Sequence, residues 1–130
     1  MGKKQELESL REWIIIYLEA NVESLYARYL KEREGKQTIE DKDGFITFAI
    51  TGEECFIETI YVTPECRRLN YGTILANKVT ELAKKNNCTF LSGTVFPKAE
   101  GSTQSMKAML AYGFTLHSVR DNLIILTKKI

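Results

Sequence analysis

The sequence predicts an α/β (α+β) fold, a sheet flanked by helices, and three observations lead there. Apolar residues recur at helical spacing over about residues 4–34, and again near 70–86 and 102–111. Short runs of β-branched and aromatic residues lie between and after these helices, bounded by Gly, Pro and Asp-containing turns. The richest run, CFIETIYV at 55–62, is apolar on both alternating faces, as expected of a central strand covered on both sides.

In chain order, Leu7, Leu10, Trp13, Ile14 and Tyr17 mark a first amphipathic helix, and Val22, Leu25, Tyr26, Tyr29 and Leu30 a second, with Asn21 as the break. Trp13, Tyr17 and Tyr26 are expected in the core or in a substrate wall. The polar stretch KEREGK ends the helical region at Gly35, and TIEDKDGFITFAI reads as a strand, an Asp-Gly turn and a second strand. TGEE turns the chain into the 55–62 strand, which Pro64 stops. From about Asn70 to Asn86, Ile74, Leu75, Val79, Leu82 and Ala83 form one apolar stripe. TFLSGTVF is the next strand, where Gly93 signals a bulge or a close backbone approach. A helix from about Ser102 to Ala111 closes at Gly113, and FTLHSV-RDN-LIILTKK is a β-hairpin.

A length of 130 residues fits a single domain spanning 1–130. The formal net charge of +1 argues against a nucleic-acid or anionic-membrane surface. The apolar run at 13–18 is far short of the roughly 20 residues of a membrane span. MGKKQE has Glu6 where a myristoylation motif needs Ser or Thr. Cys55, Cys66 and Cys88 cannot all pair within one chain and have no zinc spacing, so a reducing, cytoplasmic location and no metal are expected.

The stretch CRRLNYGTIL, residues 66–75, sits between a strand and a helix. A helix N-terminus offers free N–H groups and the positive end of the dipole, so this junction suits an anion. Gly72 permits close approach to the backbone, Asn70 tolerates left-handed geometry or serves as an N-cap, and Arg67 and Arg68 add charged donors. Any β–α turn also uses residues of this kind.

The longer stretch VTPECRRLNYGTIL resembles the pyrophosphate-binding motif of the GNAT superfamily of acyl-CoA N-acyltransferases, with Val62, Pro64, Arg67 and Gly72 in register. Asn70 stands where the first motif glycine is usual. SMKAMLAYGF resembles the family's late motif, a short helix ending in Gly-Phe, here Gly113 and Phe114. The resemblance covers about 45–130 and implies a mixed central sheet flanked by helices. It departs at the N-terminus, where the family's first strand is expected to be missing. It also implies acetyl-CoA as cosubstrate, with backbone groups of Ile60, Tyr61 and Val62 along the pantetheine arm. Arg67, Arg68, Leu69, Asn70, Tyr71, Gly72 and Thr73 would hold the diphosphate.

The expected activity is acetyl transfer from acetyl-CoA to a primary amine by direct attack. Glu58 is the candidate base, four residues before Val62 and on the strand face of Ile60 and Val62, where an apolar setting would raise its pKa. Equally, it is a rim glutamate in a salt bridge. The family's acid tyrosine is replaced by Met109; Tyr112 and Ser105 share its helical stripe, Tyr112 as an acid or as a core residue, Ser105 as a CoA contact or a solvent-facing residue. His117 reads as an ordinary strand residue, and Cys66 as an exposed, oxidisable thiol rather than a nucleophile. The alternative to an enzyme is a GNAT-like module that binds acyl-CoA or assembles with other proteins. The acceptor amine is open, and a homodimer is plausible.

Overall fold

The computed structural model describes residues 23–130. The first helix expected from the sequence, with Trp13 and Tyr17, and the missing first strand lie outside the described residues.

Helix α1, Leu25–Glu34, starts where the Ser24 hydroxyl accepts the Ala27 N–H at 3.0 Å and ends at Gly35, whose φ of 67° is the left-handed geometry of a C-terminal cap. Ala27 and Leu30 are buried, but Leu25, Tyr26 and Tyr29 are exposed. Tyr26 is therefore not core; at 65% exposure it stacks on Tyr29, with ring centroids 6.2 Å apart.

Six strands follow: β1 Gln37–Glu40, β2 Gly44–Thr51, β3 Glu54–Val62, β4 Phe90–Val95, β5 Thr115–Arg120 and β6 Leu123–Lys129. They form one mixed sheet in the order β1-β2-β3-β4-β6-β5, antiparallel except for the β3–β4 pair. A parallel pair needs a crossover, supplied by a 3-10 turn at Pro64–Cys66 and helix α2, Tyr71–Lys85. Helix α3, Ser102–Tyr112, connects β4 to β5 and ends at Gly113, φ 108°. The last hairpin turns on Asp121 and Asn122, both left-handed at φ 50° and 63°, the pair a two-residue type I′ loop requires.

The expected Asp-Gly turn closes one step earlier. Asp41 N–H bonds to the Gly44 carbonyl, Asp41 Oδ1 accepts the Asp43 N–H at 2.8 Å, and Gly44 is the first residue of β2. Gly44 is needed for space, because a Cβ there would fall 2.5 Å from the Tyr61 carbonyl oxygen and 3.3 Å from the Tyr71 ring.

Ile46, Phe48, Cys55, Leu75, Val79, Leu91 and Leu126 form the centre of the core. Helix α2 contributes Leu75, Val79 and Ala83 as its apolar stripe predicts, while Ile74 stays 46% exposed beside the helix start. Met106, Met109 and Tyr112 bring α3 onto the same cluster.

Strand β3 departs from expectation. It is central, but only its first half is covered: Cys55 is buried, whereas Ile60 and Tyr61 are 44% and 42% exposed. The physical reason lies in its pairing. β3 is in register with β4 over only three positions, 54–56 against 90–92, and beyond them the two strands part.

Candidate functional site

The parting of β3 from β4 leaves a gap in the middle of the sheet. On its other side β3 stays paired with β2, and the Thr63 N–H reaches the Asp43 carbonyl at 2.8 Å. In an antiparallel ladder, alternate residues face opposite neighbours. With Thr63 directed to β2, Tyr61 and Thr59 are as well, and the N–H and C=O groups of Ile60 and Val62 point into the gap. Gly93 on β4 lies under α3, where an added Cβ would overlap Met109 Cε and sit 3.8 Å from the Ile57 carbonyl oxygen. The space beside Gly93 is thus filled by the end of the Met109 side chain, with the Ile57 backbone at ordinary contact distance.

At the head of the gap stands the N-terminus of α2. Asn70 is left-handed, φ 58° and ψ 23°, and its side chain makes no capping bond, so of its two expected roles it takes the conformational one. Arg68 is left-handed too, φ 69°, which the sequence did not signal. A backbone alternating in this way turns its N–H groups toward one concavity, and the first N–H groups of α2 add to them. Gly72 has nothing within 4 Å of an added Cβ, so open space lies over the first helical turn. Arg68, Leu69, Asn70 and Thr73 are exposed.

Arg67 folds back rather than extending over the helix start. Its Nε donates to the Val62 carbonyl at 2.9 Å, and its guanidinium lies 5.7 Å from the centroid of the Tyr61 ring, which stacks on Phe45. Tyr71 sends its hydroxyl to Asp41 Oδ2, tying the α2 N-terminus to the β1–β2 turn.

Glu58 occupies a β-bulge. Thr47 pairs with Thr59 and Phe48 with Ile57, so Glu58 is the extra residue opposite β2. The bulge resets the alternation: Ile57, Ile60 and Val62 now share the face of Phe48, Ile46 and Gly44. The expectation that Glu58 shares a face with Ile60 and Val62 is thus overturned, and so is its apolar setting. Both carboxylate oxygens meet Lys36 Nζ, at 2.8 and 2.6 Å, and Glu34 lies 3.1 Å from the same ammonium. Hydrogen bonding to Glu58 and then Glu34 raises the Lys36 pKa above its usual value, against a smaller opposing effect of desolvation.

Tyr112 faces α2. Its hydroxyl donates to Asn77 Oδ1 at 2.7 Å and lies 3.0 Å from Thr80 Oγ1, while Lys128 Nζ stands 4.0 Å from the centroid of the Tyr112 ring and donates to the Tyr112 carbonyl oxygen at 2.8 Å. Ser105 is exposed on α3, its N–H bonded to the Gly101 carbonyl. Cys66 is half-buried, and His117 is an exposed strand residue beside Ser118.

Sequence reasoning missed Lys36, Asp41 and Asn77. Lys36 sits in the charged tract KEREGK, which reads as a solvated surface; only the strand order brings it across to Glu58. Among the described residues no group of three or more His, Cys, Asp or Glu side chains could hold a metal ion, and no helix is long and apolar enough to cross a membrane.

The family model that matches the chain, over residues 7–112, is described as the Acetyltransferase (GNAT) family. No curated protein gives a match. Among solved structures, the chain resembles the PaiA N-acetyltransferase of Thermoplasma acidophilum in complex with coenzyme A, at TM-score 0.62 and 19% identity, over 68% of this chain and 54% of that one. A GNAT-family structure from Desulfovibrio desulfuricans gives TM-score 0.67 at 14% identity, over 78% and 74% of the two chains. Nourseothricin acetyltransferase gives 0.60 at 22% identity, over 68% and 58%. The chain thus spans little more than half the length of the first and third of these.

Proposed function

Because the chain belongs to the GNAT acetyltransferase family, we propose that it acts as a single acetyltransferase domain in the cytoplasm, moving an acetyl group from acetyl-CoA to a primary amine by direct attack. The observation that carries this reading is the gap between β3 and β4, with the N–H groups of Ile60 and Val62 along it, the Val62 carbonyl held by Arg67 Nε, and the α2 N-terminus at its head. Coenzyme A bound to the Thermoplasma acidophilum relative supports the choice of donor.

The residues present fit such a donor. The N–H groups of Ile60 and Val62 and the Ile60 carbonyl offer partners to an amide-bearing arm, while the Val62 carbonyl already accepts from Arg67 Nε. The backbone of 67–73 and the open space over Gly72 suit a diphosphate, whose charge the helix dipole favours. Bound acetyl-CoA supplies an activated thioester, whose carbonyl carbon bonds to the amine nitrogen as its C–S bond breaks and CoA leaves as the thiolate. Glu58, directly or through a water, takes a proton from the acceptor ammonium so that a neutral amine can attack. The amine nitrogen's second proton ends on the thiolate. Tyr112 could reach that thiolate only by releasing Asn77, so this reading gives it to the packing of α3 on α2 and leaves the thiolate to water in the gap.

A module that binds acyl-CoA without turning it over is the second reading, favoured by Met109 in place of the expected tyrosine and by the engaged Tyr112 hydroxyl. Calorimetric titration with acetyl-CoA followed by thiol release against an amine panel separates the two. Binding with thiol release, much reduced in Glu58→Gln, is expected. Absence of binding at millimolar ligand ends both readings, and binding without release leaves the second.

A further inference from the structure

We infer that Lys36 is a built-in competitor at the acceptor seat: its ammonium holds the place on Glu58 that an acceptor's alkylammonium must take, so cationic amines bind by exchange with Lys36. This rests on the reading of Glu58 as the base.

Three observations support the exchange. Lys36 Nζ meets both oxygens of Glu58, at 2.8 and 2.6 Å, as a primary ammonium docking on a base would. Glu58 is the bulged residue next to Ile57, where β3 begins to leave β4, so this seat opens beside the gap that would receive the acyl group. Lys36 also has a second partner in Glu34, at 3.1 Å. When an incoming ammonium takes Glu58, Lys36 keeps Glu34, and two carboxylates still face two cations.

A neutral amine has no such exchange open to it. Displacing Lys36 would leave Glu58 with a neutral donor in place of an ion pair, and a charge-assisted bond is roughly twice as strong as a neutral one. The segment can yield: Lys36 follows Gly35, whose surroundings are open, and its side chain is about a quarter exposed. The side chains of Lys36 and Glu58 are 25% and 36% exposed, so water reaches the pair and weakens it.

The test compares butylamine, cationic near neutral pH, with aniline, neutral there. In Lys36→Met, the KM for butylamine should fall about fivefold, the scale of a removed exposed ion-pair competitor. The KM for acetyl-CoA and kcat/KM for aniline should stay within about twofold, and Lys36→Arg should restore the wild-type KM for butylamine. An equal change for both amines, or none, overturns the inference while thiol release preserves the acetyltransferase reading. An arm independent of turnover follows the Lys36 Cε resonance during titration of wild-type protein with butylammonium chloride, against sodium chloride of equal ionic strength. A saturable shift specific to butylammonium is expected. Its absence overturns the inference even if no amine is acetylated, and failure of thiol release with a positive shift removes only the catalytic reading.

Discussion

Met109 Cε lies over the α-carbon of Gly93, filling the place that any side chain at residue 93 would need. The contact pins α3 to β4 at the level of the Ile57 carbonyl, where β3 and β4 separate. Because the overlapping atom is the free end of a flexible thioether chain, Gly93→Ala should turn Met109 aside and destabilise the protein by about 1 kcal/mol, the low end of overpacking. Denaturant midpoints of Gly93→Ala and of Gly93→Ala with Met109→Ala check this. The double variant should recover part of the loss, a coupling expected of two groups in contact.

Gly72 separates what the fold needs from what a diphosphate needs. Its φ is ordinary and its surroundings open, so Gly72→Ala should leave stability unchanged or raise it by about 0.5–1 kcal/mol through helix propensity. Gly72→Glu should also fold, yet weaken acetyl-CoA binding by about tenfold or more by placing a negative charge against the diphosphate. Thermal denaturation beside calorimetric titration distinguishes the two effects. Equal binding by both variants would remove the diphosphate from this loop.

Tyr112→Phe removes the hydroxyl that bonds Asn77 and approaches Thr80. A loss of about 1 kcal/mol of stability is expected, the net worth of such a bond. Thiol release should stay within about twofold of wild type; a drop of about a hundredfold, on the scale of a lost general acid, would return the acid role to Tyr112.

Cys55 is buried, and desolvation, with smaller contributions from Cys88 and Glu54, pushes its thiol from 9.0 up to about 12. The folded state thus holds its proton more tightly than the unfolded chain. This contribution is fully present below pH 9.0 and is lost as pH climbs toward about 12, at about 1.4 kcal/mol per pH unit. Urea denaturation at rising alkaline pH should show a steeper decline for wild type than for Cys55→Ala. In the native protein near neutral pH, a maleimide should label Cys66 well before Cys55 or Cys88, which are buried.

What could be read from the sequence was local and steric. Gly35, Gly113 and the Asp121–Asn122 pair marked their turns because left-handed backbone admits few residue types, and Asn70 was legible for the same reason. The stripe on α2 announced Leu75, Val79 and Ala83 through its period. The errors came from relations between elements. Strict period-two reading of 55–62 placed Glu58 beside Ile60, and one inserted residue reversed that placement. The partner of Glu58 lies 22 residues earlier, across β2, where no local spacing can indicate it. Tyr26 and Tyr29 obey helical spacing but remain exposed, since a period says which residues share a face and not what covers that face.

The half-paired state of β3 gives this strand two exchange behaviours at once. Amide protons of Thr59 and Tyr61, held in the ladder to β2, should persist in deuterated solvent, whereas those of Ile60 and Val62, open to the gap, should vanish early. One strand would thus show protection at every second residue. A ligand that completed the ladder would slow exchange at Ile60 and Val62 and leave their neighbours unchanged, so its occupancy could be followed by deuterium uptake at two amides.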